Sequence, residues 1–315
     1  MMKNTIAFYL RKAFFHWREP GDQPLQGLAN INWRFVIEQI IYHAGALCVV
    51  YVGVSKTAFF SFLFFDIFRA FCVTILLHRY FTHRCFETSR GIQFIFALLA
   101  LTPLQRGPLW WVSHHRRHHQ FTDKPGDPHT PKQGFFYSHL GWYFTINDSA
   151  TDKSYLKDWL RYPELIWIDR LEWLAPIVMM VLAYSYGALI NHFYPDLGTN
   201  GWQMLVWLFF IPTVCVLHGS CIVNSVLHHV GYRRFNTNDN SRNMWLLALF
   251  TLGEGFHNNH HRYQASCKQG IYWWEIDLSY YVIKLLEKLK LISNLRYFPQ
   301  SILDEGQHII PYKEE

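Results

Sequence analysis

Eight histidines stand in three groups: His78-Arg-Tyr-Phe-Thr-His83, His115-Arg-Arg-His118-His119 and His257-Asn-Asn-His260-His261. Imidazole is the commonest metal ligand among side chains. On a helix, positions i, i+3 and i+4 share a face. The second and third groups are therefore expected each to aim three imidazoles the same way, and the first to hold two about a turn and a half apart. Packing so many rings together without a metal or acidic partners would leave buried polar atoms unsatisfied. The expected chemistry is metal binding, and a set this large suits two ions. The zinc-protease pattern HExxH is absent. No cysteine stands among the candidate ligands, unlike many structural zinc sites. Imidazole suits zinc, copper, iron and nickel alike, so ligand type does not choose the metal. A two-metal site at a membrane surface suggests oxygen chemistry on a lipid.

The elements that must position these groups are helices in a bilayer. Half of the 315 residues are hydrophobic and 17% are charged. The apolar residues concentrate in four runs, at about 35–54, 58–77, 173–190 and 202–226. About twenty apolar residues span the hydrocarbon core as a helix. The expected fold is thus an all-α integral membrane protein with four transmembrane helices and a cytoplasmic helical cap holding the histidine-rich dimetal site. Ile92–Pro103 is too short to span and is read as interfacial or buried. The links between paired runs carry only Lys56, whereas the N-terminus, Arg79–Glu172 and the tail after Val230 are rich in Lys and Arg. By the positive-inside rule both termini and all three groups face the cytoplasm. This topology accounts for the net charge of +6 without a nucleic-acid partner.

Three regions are expected along the chain: an amphipathic cytoplasmic segment (1–32), a membrane domain (33–291) and a C-terminal tail (292–315). In the first, Leu10, Ala13, Phe14 and Trp17 fall at helical spacing beside Arg11, Lys12 and Arg18, and Glu19-Pro20-Gly21-Asp22 ends the pattern. No cleavable signal is read at the N-terminus, so the first membrane helix is expected to direct insertion. The six cysteines show no CxxC spacing and read as reduced packing residues. His16, His43, His192, His218 and His308 read as isolated histidines of ordinary packing. Asp66 and Arg69 sit one turn apart inside the second run. Ionisable residues at that depth usually pair or line a cavity, so they read either as a polar wall of a tunnel or as a helix–helix salt bridge.

With these groups in order, the sequence resembles the membrane-bound fatty acyl desaturases of the stearoyl-CoA desaturase type, from about Phe35 to Leu291. The family pattern is HxxxxH, HxxHH and HxxHH, with an Asn-Ser-x-x-His element that reads here Asn224-Ser225-Val226-Leu227-His228. Asp127-Pro128-His129 and Ser138-His139-Leu140-Gly141-Trp142 match further short signatures. The resemblance implies that His78, His83, His115, His118, His119, His228, His257, His260 and His261 ligate two iron ions (Fe2+). It implies that Asn224 acts on one iron through a water, and that Gln105 and Trp111 line the kinked part of an acyl tunnel. His114 and His229 match no family ligand. Carboxylates behind the ligating rings are expected to set the imidazole tautomers, with Asp123, Asp127 and Glu254 as candidates. The implied reaction is O2-dependent desaturation of a fatty acyl chain, with electrons from a separate donor such as ferredoxin or cytochrome b5.

Two places depart from the acyl-CoA pattern. An Arg-Asp pair expected before the second box is Ser113-His114, and no Arg-Lys pair follows Gly141-Trp142. Losing these cations removes charge-assisted contacts to phosphates. The acyl carrier is therefore open among CoA, acyl carrier protein and a lipid, and Arg106, Arg116 and Arg117 become candidates to meet an acidic partner. The same boxes also fit an acyl hydroxylase or acetylenase. A non-catalytic metal-binding or transporting membrane protein is the alternative of another class, but transporters place ion sites near the bilayer midplane.

Overall fold

A computed structural model describes residues 17–18 and 24–307. The amphipathic pattern proposed for the N-terminal segment lies almost wholly outside the described residues, as do His16 and His308. The described residues are mainly helical. Among the described residues, four helices are long and apolar enough to cross a membrane: α1 (Trp33–Val52), α2 (Lys56–Thr82), α6 (Leu174–Phe193) and α7 (Gly201–Val226). Between and after them lie α3 (Arg90–Leu99), α4 (Pro108–Phe121), α5 (Pro163–Arg170), α8 (His257–Arg262) and α9 (Leu278–Lys288). Among the described residues the sheet is a two-residue antiparallel pair, Glu87–Thr88 with Ile292–Ser293, beside isolated bridges such as Tyr232 with Asn243.

Local chemistry sets the helix ends. Asn32 and Ser55 accept from the amides of Phe35 and Ala58 and start α1 and α2. At the far side of the bundle, the two short links meet. The Gln203 amide donates to the Val52 carbonyl and accepts from Ser55, Thr57 donates to the Leu197 carbonyl, and the Trp207 indole donates to the Gly53 carbonyl. The lipid-facing sides of α1, α2 and α6 expose residues such as Ile40, Phe64 and Leu182, each above 60%. That exposure suits hydrocarbon and not water. α3 is amphipathic, with Gln93, Phe96 and Ala97 inward and Phe94, Ile95 and Leu98 outward.

Two membrane helices widen into π-helical turns, α2 over Cys72–Thr82 and α7 over Val206–Phe210. Such widening is frequent at functional sites. In α2 every residue of the widened stretch is buried, and α2 continues beyond the predicted end at Leu77 to carry His78. In α7 the widened turn leaves carbonyls that Arg69 satisfies. Its guanidinium donates to Leu208 O at 2.8 Å and to Thr213 Oγ1 at 3.0 Å. The helix–helix salt bridge is thus replaced by a side chain bonding the backbone of a neighbouring helix.

α4, which carries the second histidine group, is anchored at its N-terminus. Pro108 occupies the first turn, and Asp169 Oδ1 accepts from the amides of Leu109 and Trp110 at 2.8 and 2.9 Å. This places a carboxylate where the helix dipole favours one. Gly107 makes the approach possible, because a Cβ there would stand 2.2 Å from Asp169 Oδ1.

Candidate metal centre

The nine predicted histidines converge at the cap end of the bundle. They form two groups, each with ring nitrogens within 4.8 Å of one another: His78, His83, His115, His119 and His260 in one, and His118, His228, His257 and His261 in the other. Sequence spacing suggested that each box aims three rings one way. The rings of each box do lie together, but the structure divides them between the two groups. His115 and His119 join one group while His118 joins the other, and His257 and His261 join one while His260 joins the other. The reason is angular: around a helix i+4 lies about 40° to one side of i and i+3 about 60° to the other, so i+3 and i+4 diverge by about 100° within one face. The short helices α4 and α8 therefore each serve both groups.

Nitrogen geometry tests whether these residues fit metal ions. Nε2 of His260 stands 3.0 Å from Nε2 of both His78 and His119, His119 Nε2 is 2.9 Å from His115 Nε2, and His228 Nε2 is 3.1 Å from His257 Nε2. One ring proton cannot satisfy so many facing lone pairs. Nε2 of His83, His118 and His261 is buried without any hydrogen-bond partner. Two nitrogens each about 2.1 Å from a shared ion, at right angles, lie about 3.0 Å apart. The donor set fits metal ions.

Four carboxylates hold rings from behind. His78 Nδ1 meets Glu254 Oε2 at 2.6 Å, His118 Nδ1 meets Asp127 Oδ1 at 3.0 Å, His228 Nδ1 meets Asp123 Oδ2 at 3.2 Å and His261 Nδ1 meets Asp239 Oδ2 at 3.0 Å. An accepting carboxylate fixes the proton on Nδ1 and leaves Nε2 as the ligand atom. Asp123, Asp127 and Glu254 are where the sequence reading put them. Asp239 was missed, since it lies in a polar loop with no spacing signal. Also missed was the amide frame of α8. Asn243 Oδ1 accepts from the amides of Asn258 and Asn259, and Asn258 Oδ1 accepts from those of Arg234 and Phe235. The two asparagines inside the third box are therefore anchors for a helix too short to hold itself.

The electrostatics favour neutral rings. Burial, reinforced by neighbouring imidazoles, holds His83, His115, His119, His257 and His260 well below the ordinary value of 6.5. Burial also brings His261 down to about 4 against the pull of Asp239. At His118 burial is outweighed by Asp127 and its neighbours, and the ring is raised. Burial opposes ionisation of Asp127, but His118 and His129 hold its carboxyl well below the usual range.

A cavity of about 950 Å³, its open mouth included, descends from these groups between α2 and α7. His78, His115 and His257 line its upper wall, as does Asn224. Asn224 is therefore beside the centre and not in either ring group. Gln105 and Trp111 line the same cavity, with the Trp111 indole donating to Gln105 Oε1 at 3.2 Å and the Gln105 amide donating to Ser220 Oγ at 2.8 Å. His114 is buried against Trp110 with Nδ1 on the Trp110 carbonyl, and His229 is exposed. His43 and His218 are not isolated: His43 Nε2 lies 3.0 Å from His218 Nε2, and His218 Nδ1 lies 2.8 Å from His139 Nε2.

The three arginines considered for an acidic partner are engaged within the chain. Arg116 bonds Asp158 and the Thr82 carbonyl, Arg117 bonds the Gly126 carbonyl and Asp148, and Arg106 is buried beside Glu172.

Four membrane helices and nine converging imidazoles define an integral membrane protein with a two-part metal-binding cap. Comparison with known proteins fixes the family. The profile of the fatty acid desaturase family matches residues 55–288. An acyl-CoA 5-desaturase from Anemone leveillei is 37% identical over 246 residues, covering 77% of this chain and 73% of the relative. An sn-1 stearoyl-lipid 9-desaturase from Synechocystis sp. is 34% identical, covering 79% and 74%. An sn-2 palmitoyl-lipid 9-desaturase from Nostoc sp. is 33% identical, covering 88% and 93%. The chain belongs to the fatty acid desaturase family, whose members are oxidoreductases of lipid metabolism.

Proposed function

We propose that this protein is an O2-dependent diiron desaturase that introduces a double bond into a fatty acyl chain carried on a membrane lipid. The observation that carries the reading is the cavity, which passes beside His78, His115 and His257 and so brings a bound chain to the histidine centre. His78, His83, His115, His119 and His260 would hold one iron, and His118, His228, His257 and His261 the other, with Asn224 acting on one of them through a water. Bound there, the irons supply activation of O2 and removal of hydrogen from two adjacent carbons, chemistry no side chain performs on a saturated chain. The overall balance is one CH2–CH2 unit, one O2, two electrons and two protons giving one CH=CH and two waters. Ferredoxin or a cytochrome b5 would supply the electrons as a separate partner.

The chain's own residues do the rest. Glu254, Asp127, Asp123 and Asp239 orient their imidazoles before the ions bind. Gln105 braces Trp111 against α7, which fixes the wall that decides how far a chain descends. Orientation of this kind contributes strongly to rate and to the choice of carbon.

The choice of carrier rests on charge and exposure. Among the described residues lining the cavity there is no Lys or Arg. Ser113 faces inward onto the Asp152 backbone, and His114 is buried. Phe250 lines the cavity while 77% exposed, and Trp245, Leu246, Trp273 and Trp274 are exposed in adjoining segments joined by the Trp245 indole on the Trp274 carbonyl. Exposed aromatics of this type sit at the bilayer interface. A mouth without cations, bordered by such residues, suits a lipid better than a polyphosphate head. The placement of the termini and cap in the cytoplasm is supported by the Lys and Arg distribution.

The test is the fatty acid profile of host cells expressing the wild type beside His118→Ala, together with a ferredoxin system. A new unsaturated acid within the glycerolipid fraction, only with the wild type, is the expected result. A product gaining one oxygen instead would favour hydroxylation. Product on acyl-CoA before any in lipid would overturn the carrier assignment.

A further inference from the structure

One acid in the membrane, Asp66, has a buried carboxylate oxygen without a hydrogen-bond partner among the described residues. The cavity follows a single stripe of α2, with Asp66, Ala70, Val73, Thr74 and His78 all on its wall. These positions fall at i, i+4, i+7, i+8 and i+12, one face of a helix. His78 stands at the histidine centre, so Asp66 lies roughly 15–18 Å deeper, allowing for the shorter rise of the widened turns. Cys215 and Gly219 of α7 line the same cavity, and Gly219 has nothing within 4 Å of where a Cβ would be. Asp66 therefore marks a roomy part of the cavity at the end far from the histidine centre.

Asp66 Oδ1 is buried and has no hydrogen-bond partner among the described residues. Arg69, the nearest cation along the helix, is turned away to the Leu208 carbonyl and Thr213 Oγ1. A carboxyl left unsatisfied at membrane depth is unfavourable and is usually functional. Arg69 attracts Asp66 through space but donates its hydrogen bonds elsewhere, and the methyl end of an ordinary acyl chain would leave the oxygen unsatisfied. A hydroxyl would not, since it donates to an ionised carboxylate and accepts from a neutral acid.

We propose that Asp66 is a specificity-determining residue that hydrogen-bonds a hydroxyl on the distal part of the acyl chain, so that hydroxylated chains are preferred over plain ones. This deepens the desaturase reading and rests on it for the identity of the ligand as an acyl chain. The desaturated carbons stay at the histidine centre, and the hydroxyl is bound, not transformed.

The experiment uses the full chain in lipid nanodiscs and two probes of equal length, an ω-hydroxy acyl chain and its plain counterpart. Competitive binding is measured first, then competitive turnover with the electron donor, for wild type, Asp66→Leu and Asp66→Asn. The expected result is about a tenfold preference of the wild type for the hydroxylated probe, the size of a hydrogen bond to a charged group. Asp66→Leu should lose or reverse it, and Asp66→Asn, whose amide still bonds a hydroxyl, should keep part of it. Equal or better binding of the plain chain by the wild type, with a ratio unmoved in either variant, would overturn the proposal while leaving desaturation of the plain chain intact. A binding preference that depends on Asp66 without product from either probe would uphold the Asp66 assignment and overturn the desaturase reading.

Discussion

His118 and His119 are adjacent in the chain and belong to different ring groups: His119 lies with His115 and His260, and His118 with His228, His257 and His261. One short helix thus couples the two halves of the centre, and its bidirectional display makes each half separately testable. His119→Ala and His118→Ala should each leave a folded membrane protein with about half the wild-type iron and activity below about 1% of wild type. Metal analysis of the purified variants checks this. Full iron content in both would show that the groups are not the iron sites.

Asp239 holds His261 from a loop that sequence spacing did not single out. Removing a carboxylate behind a ligating imidazole typically costs about 10–100-fold in metal affinity. Asp239→Asn is therefore expected to release metal to a chelator at about 10–100-fold lower chelator concentration than wild type. Release curves that superimpose would mean that Asp239 does not orient a ligand.

What the sequence disclosed, and what it hid, divides along a physical line. The four membrane helices were legible because twenty apolar residues have few alternatives to a span. Eight histidines were legible because their short spacings recur, and His228 only through the Asn-Ser-x-x-His element of the family it resembles. The division of each box between two groups was not, since it depends on the rotation of α4 and α8 about their axes. Asp239, Asn243 and the His43–His218–His139 series act across long sequence separations, where spacing carries no information. Arg69 misled because its neighbour in sequence, Asp66, is not its partner; the widened turn of α7 is.

Gly107 tests the anchoring of α4. A Cβ there would lie 2.2 Å from Asp169 Oδ1 and 2.7 Å from its Cα, so the carboxylate that caps α4 would have to move. Gly107→Ala is expected to destabilise the protein by about 1–3 kcal/mol through overpacking. Thermal unfolding in detergent measures this, and an unchanged midpoint would mean that the contact relaxes freely.

The pH dependence of the metal-stripped protein follows from the rings. Burial holds His83, His115, His119, His257 and His260 below their ordinary 6.5 in the folded chain. Unfolded, they take up protons near 6.5, so their contribution to stability is fully present above that pH and is lost as pH falls below it. His118, raised by Asp127, acts in the opposite sense but is one ring against five. The depressed carboxyls of Asp127 and Glu254 add a further loss at lower pH. The unfolding temperature should fall steadily from about pH 7.5 to about pH 5.5. A flat or rising curve would contradict the burial of neutral rings.

The most direct test of the central claim joins metal content to product mass. Protein purified in lipid and loaded with iron is given O2, a reducing ferredoxin system and a saturated acyl lipid, and its product is weighed by mass spectrometry. Two irons per chain and an acyl product lighter by two hydrogens are expected, whereas His118→Ala should hold about half the iron and give no product. Full iron loading with an unchanged or oxygen-bearing chain, or turnover that persists without iron, would contradict the claim.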